Sequence, residues 1–201
     1  MVDAFFEAMS GLTTTGSTVF SDLDQMPKGL LLWRGLLQWL GGIGIIVVAM
    51  VFLPELRVGG MQIFRSEGFD TFGKILPRAT EISSRISSIY LFLTMSCAAA
   101  YMLSGMTAFD ATVHAMTTIA TGGFANYDTS FAAFEGASAS VAILFMILAA
   151  LPFVRFVQMT AGTARPLLHD SQIRFFLKTT VLIIAGLTAW RVIHDGVTTV
   201  A

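Results

Sequence analysis

Two short stretches hold the residue types that could take the water off an ion and replace it with protein oxygen: Gly11-Leu12-Thr13-Thr14-Thr15-Gly16-Ser17 and Ile119-Ala120-Thr121-Gly122-Gly123-Phe124. Laid over one another without a gap, residues 3–16 and 110–123 agree at six of fourteen positions, among them Asp3/Asp110, Met9/Met116, Thr14/Thr121 and Gly16/Gly123. Each copy is a half-apolar helix that runs into a Thr/Gly loop. Glycine has no Cβ to bar unusual backbone angles or close approach. Threonine adds a small hydroxyl that satisfies neighbouring polar groups without blocking a path. A row of main-chain carbonyls can stand in for the hydration shell of a potassium ion. Such irregular backbone is tolerated at membrane depth where protein buries it or where it lines a water-filled path.

The chain has 201 residues, 55% of them hydrophobic and 12% charged, with seventeen Phe and eleven Met. Soluble domains carry roughly 25% charged residues, so lipid is the expected solvent. A net charge of −1 argues against the clustered cationic footprint of a nucleic-acid binder. The lone Cys97 permits no disulfide framework and reads as a packing residue. Met1-Val2-Asp3 lacks the basic start of a cleavable signal peptide.

The elements that must position the loops alternate short and long. Residues 3–12 form a helix too short for ~30 Å of hydrocarbon, and residues 29–53 an apolar run stopped by Pro54. Within that run Gly41-Gly42-Ile43-Gly44 suits close helix packing. A polar, basic link leads to a second run at 86–103; Thr107 and Asp110 mark the next helix start. Residues 137–162 read as a span kinked at Pro152, and 175–193 as a last one. The links 54–85 and 155–178 carry Arg57, Arg65, Lys74, Arg78, Arg85, Arg155, Arg165, Arg174 and Lys178, nine of the twelve basic residues. Such residues mark the cytoplasmic side, which turns both Thr/Gly loops outward.

Other motifs are weaker. The first loop nearly spells a phosphate-binding loop, but Ser17 stands in the lysine's place and no strand precedes it. Gly42-Ile43-Gly44 lacks the third glycine of a dinucleotide fingerprint. Asp3/Glu7 and Asp110/His114 are i,i+4 pairs that suit either an outer cation-attracting ring or helix capping and pinning. His114 has no second His or Cys nearby to share a metal. Arg34 and Arg155 fall near span boundaries, in functional or snorkelling roles. No constellation of His, Asp and Glu inside the spans suggests an enzyme.

The runs Phe5-Phe6-Glu7-Ala8-Met9-Ser10-Gly11-Leu12-Thr13-Thr14-Thr15-Gly16 and Leu37-Gln38-Trp39-Leu40-Gly41-Gly42-Ile43-Gly44-Ile45-Ile46-Val47 carry a resemblance, together with Gly59-Gly60-Met61-Gln62, Ala108-Phe109-Asp110-Ala111 and Gly122-Gly123-Phe124. The chain resembles the Trk/Ktr/HKT superfamily of potassium transporters, most of all its TrkH branch. The resemblance implies an all-α, polytopic membrane protein of span–pore-loop–span repeats with re-entrant filter loops around a pseudo-fourfold pore. It divides the chain into part of a first repeat (1–54), a cytoplasmic link (55–85), a second repeat (86–163), and a link with the first span of a third (164–201). It makes Thr13, Thr14, Thr15 and Gly16 one filter strand and Ala120, Thr121, Gly122 and Gly123 another, with Gly123 matched to Gly16.

Glycine at that place in the first filter goes with potassium over sodium in the family. The implied setting is multi-pass in the bacterial cytoplasmic (inner) membrane, without cofactor, potassium being cargo. Implied partners are lipid, a second copy in a homodimer, and a cytosolic nucleotide-binding regulatory subunit. The family's outer span before the first pore helix and its third and fourth filters have no counterpart in these residues. Two strands cannot enclose a four-sided site, so the expectation is a piece of a longer pore, with a non-conducting fragment or a different solute transporter as alternatives.

Overall fold

The computed structural model describes residues 1–51, 79–134, 136–160 and 170–195. They are helical, without strands among the described residues. The expected link 55–85 and the Gly59-Gly60 run fall largely outside the described residues, as do Arg165 and its neighbours. Two compact units divide at Phe153/Val154.

In the first unit, α1 (Val2–Leu12) leads through its Thr/Gly loop and a 3₁₀ turn (Leu23–Gln25) to α2 (Lys28–Val51). Then α3 (Ala79–Leu103) turns into α4 (Ala108–Ile119), and a second 3₁₀ turn (Ser130–Ala133) precedes α5 (Ser138–Ala149). At 1.5 Å per residue α1 and α4 are each about 17 Å long, half a bilayer core. Lys28–Val47 of α2 and Ser83–Leu103 of α3 are long and apolar enough to cross one. The alternation of half-length and full-length helices is thus present.

The core lies where α4 meets α2 and α3, and α1 packs on α2. Ile86, Tyr90, Cys97 and Tyr101 are all fully buried and form one stripe along α3. Buried hydroxyls on α3 are paired: Tyr101 shares a hydrogen bond of 2.7 Å with Thr118 on α4, and Tyr90 donates to the Trp39 carbonyl of α2 at 3.1 Å. Thr107 caps α4, its Oγ1 accepting the Asp110 N–H at 3.2 Å.

One expectation changes and one holds. Helix α3 starts at Ala79 rather than near 86, because hydropathy marks the apolar part of a helix and not its hydrogen-bonded end. The span expected at 137–162 with a kink at Pro152 is α5 followed, after a break at Pro152, by α6 (Phe153–Thr160). Pro152 has no N–H to donate and disfavours helix at Leu151, which ends α5.

The second unit holds most of α6 and α7 (Ser171–Asp195). Phe175, Val181, Leu182, Ile183, Leu187 and Ile193 are exposed around α7, the pattern of a helix made for lipid. Arg155 does not snorkel; its Nε and Nη2 donate to Asp170 at 2.8 and 2.6 Å. Desolvation raises the Asp170 pKa, but the Gln172 N–H and the Arg155 guanidinium outweigh it and hold the carboxyl below its ordinary value.

Candidate functional site

Both Thr/Gly loops leave their helices along the same path. After α1 the N–H groups of Thr14, Thr15 and Gly16 turn back to Gly11 O, Ser10 O and Ser10 O at 2.9, 2.9 and 3.4 Å. After α4 those of Thr121, Gly122 and Gly123 reach Thr118 O, Thr117 O and Thr117 O at 3.0, 3.0 and 3.4 Å. Every partner is displaced by the same 107 positions as the sequence repeat. The dihedrals follow: φ is 55° at Thr14 and 54° at Thr121, 77° at Gly16 and 80° at Gly123. A β-branched residue in the left-handed region is an outlier that surrounding structure must hold. Here it occurs twice, at equivalent places.

The two loops touch. A Cβ on Gly16 would collide with the Gly122 carbonyl oxygen, whereas one on Gly123 would meet no atom within 4 Å among the described residues. Gly16 is therefore held to glycine by both angle and contact, Gly123 by angle. Thr13 Oγ1 donates to Met9 O at 2.7 Å and shares a hydrogen bond of 2.8 Å with Thr15 Oγ1; Thr121 Oγ1 donates to Ala120 O at 2.7 Å.

Helix α2 carries both loops on its side chains. Residues 34, 38 and 42, one turn apart, lie along the second loop. Arg34, 3% exposed, pairs with the equally buried Glu7 of α1 through Nη2 at 2.7 Å and Nε at 2.8 Å. Its Nη1 donates to Ala125 O at 3.1 Å, and its guanidinium lies 4.3 Å from the Phe124 ring centroid. Glu7 also accepts from Thr18 Oγ1 at 2.8 Å and the Val19 N–H at 3.1 Å. Arg34 thus joins the first pore helix to the return strands of both loops, and its snorkelling reading falls. Gln38, fully buried, accepts the Phe124 N–H on Oε1 at 3.1 Å. On the neighbouring face Gly41 meets the Leu12 carbonyl with no room for a Cβ, and Gly42 faces Ala120 and the Tyr90 hydroxyl. At Gly44, by contrast, a Cβ would meet nothing within 4 Å among the described residues.

The acidic pairs pin helices. Asp110 accepts from Asn126 Nδ2 at 2.9 Å, Thr107 Oγ1 at 2.7 Å and the Tyr127 hydroxyl at 3.2 Å. His114, fully buried, has Nδ1 2.9 Å from Asp110 O and stacks edgewise on Phe131 and Phe134. Neither Glu7 nor Asp110 stands free as part of an outer ring; Asp3 is exposed. Asp128 clips together the segments that follow the two Thr/Gly loops, accepting the Asp22 and Leu23 N–H groups at 2.9 and 3.2 Å. Next to Thr14 and Thr121 a pocket of about 370 Å³ is walled by Ile45, Ile46, Ile119 and Phe153.

Sequence reasoning singled out both loops and missed Gln38 and Asp128. Their partners lie 86 to 106 residues away. A glutamine inside an otherwise apolar span was the one available signal for Gln38.

Residues 1–200 match the family model described as TrkH, cation transport protein. The chain is similar to the Trk system potassium uptake protein TrkI of Halomonas elongata, 46% identical over 194 residues, 96% of this chain and 39% of that protein. It is likewise similar to the Trk system potassium uptake protein TrkH of Vibrio parahaemolyticus, 42% identical over 91% of this chain and 39% of that protein. The crystal structure of the potassium transporter TrkH from Vibrio parahaemolyticus matches with a TM-score of 0.83 and 37% identity, over 98% of this chain and 40% of that one. The chain spans about two fifths of the length of these relatives. It belongs to the TrkH family of cation transport proteins.

Proposed function

We propose that this chain is part of a potassium uptake protein of the bacterial cytoplasmic membrane, supplying two of the four strands of an ion filter. Thr13–Gly16 is one strand and Ala120–Gly123 the other. The observation that carries the reading is the twinned loop backbone, with Thr14 and Thr121 both held near φ 55° and glycine following two residues later. Strain repeated at equivalent positions is the kind that functional sites retain. Left-handed residues interleaved with ordinary ones re-aim successive carbonyls, as a coordinating strand requires. The relatives named as potassium uptake proteins supply the choice of ion.

Potassium sheds water onto the carbonyls and passes inward down the membrane potential, worth about 2.3 kcal/mol per charge per 100 mV. No cofactor enters this scheme. The full-length protein works as a homodimer, in lipid, with a cytosolic nucleotide-binding regulatory subunit. The test is cation uptake by the full-length parent with Gly16→Ser. The expected result is a fall of about tenfold or more in preference for rubidium, a potassium surrogate, over sodium; unchanged preference would remove Gly16 from the filter.

A further inference from the structure

Resting on the filter reading, we infer that Gln38 is a positioning residue for selectivity, a peg driven from α2 behind the second filter strand. Three observations meet there. Gln38 Oε1 takes the Phe124 N–H at 3.1 Å, one residue beyond the strand. The side chain occupies the space where Gly122 would have a Cβ, so a side chain at 122 would force the Gln38 side chain out of this position. Its Nε2, buried, finds no hydrogen-bond partner among the described residues, and lies 3.6 Å from where Gly16 would carry a Cβ.

One amide group therefore backs both strands at the point where they touch. The contact between Gly16 and the Gly122 carbonyl is steric and allows sliding; the bond to Phe124 is directional and sets how far the second strand stands from α2. Arg34, one turn earlier on α2, fixes Ala125 and the Phe124 ring but sits beyond the strand. Gly42, one turn later, offers no polar group. Gln38 alone on this face of α2 places a hydrogen-bonding group level with the filter glycines. Carbonyls held at a fixed separation suit one ion radius, and a strand freed to relax inward accommodates a smaller ion.

The experiment uses the full-length parent in membranes, with Gln38→Met, which keeps length and loses the acceptor, and Gln38→Glu, which keeps shape and an acceptor oxygen. Rubidium uptake gives KM and maximal rate, competition by sodium gives preference, and immunodetection gives protein amount. A buried N–H that loses its acceptor shifts an equilibrium by about tenfold or more. Gln38→Met is expected to raise the rubidium KM and lower preference over sodium by that factor at unchanged protein amount. Gln38→Glu is expected to restore preference and to make KM depend on pH, since it brings a titratable group behind the strands.

Wild-type KM and preference in Gln38→Met overturn the inference. Equal loss of protein in both variants also overturns it, because the role is then packing. Gly16→Ser, run alongside, separates the two ideas. If it alters preference while Gln38→Met does not, the filter stands and the peg falls; if Gly16→Ser changes nothing, the filter reading itself fails.

Discussion

Arg34 and Glu7 show how a charge is kept inside an apolar span. The guanidinium makes five contacts that a lysine ammonium cannot match in geometry: Glu7 through Nε and Nη2, Thr18, Ala125 and the Phe124 ring. Removing one member of a buried pair leaves the other uncompensated, at about 3–5 kcal/mol, whereas removing both often recovers much of that. Arg34→Met in the full-length protein is therefore expected to lower stability by about 3–5 kcal/mol. Glu7→Gln with Arg34→Met is expected to lose less than the sum of the single changes. Denaturation of the four proteins in detergent, as a double-mutant cycle, measures it. Strict additivity would mean that the pair is not coupled.

At the scale of elements, α2 is the spine on which both pore helices hang. Gly41 lets α1 approach until the Leu12 carbonyl lies against its Cα, while a Cβ on Gly29 in the first turn of the same helix would meet nothing within 4 Å among the described residues. The same substitution at the two sites should then have opposite signs. Glycine to alanine inside a helix ordinarily stabilises by up to ~1 kcal/mol. Gly29→Ala is expected to be neutral or mildly stabilising. Gly41→Ala forces backbone from backbone and is expected to cost about 1–3 kcal/mol, the range for overpacking, with loss of uptake. Thermal melts and rubidium flux on the two variants check the pair; equal effects would deny that α1 is seated by Gly41.

How much of this was legible depended on range. The repeat of Asp3–Gly16 in Asp110–Gly123 is a local pattern written in residue types, and the left-handed angles fall on Thr14, Gly16, Thr121 and Gly123 at matching places. The small-residue cluster 41–44 marked a packing face, though among the described residues only Gly41 and Gly42 use it. The pairings of Arg34 with Ala125 and of Gln38 with Phe124 bridge 91 and 86 residues and depend on how α2 crosses α4. No local pattern encodes that crossing. Glu7 illustrates the same limit, since its spacing from Asp3 suited an exposed ring as well as pinning to a neighbour, and the partner that decides for pinning stands 27 residues on.

At the scale of the whole molecule, on the proposed filter reading, two strands give an ion half of what it leaves behind in water. Potassium gives up its hydration only where carbonyls surround it, and the chain spans about two fifths of the length of its relatives. On the proposed four-strand reading, a complete ring would bind potassium in the folded state and not in the unfolded one, and potassium would stabilise the full-length protein by RT ln(1 + [K⁺]/Kd), about 2.7 kcal/mol at a hundredfold excess over Kd. Melting of the full-length protein in detergent is expected to be higher in potassium chloride than in sodium chloride at equal ionic strength, a difference that Gly16→Ser abolishes. For the 201 residues alone, no difference between the salts is expected, because the open half-site leaves the ion hydrated. If the 201-residue chain does melt higher in potassium, it has closed a ring with a second copy, and its mass in detergent must then be that of a dimer; a monomer stabilised by potassium would contradict the four-strand filter.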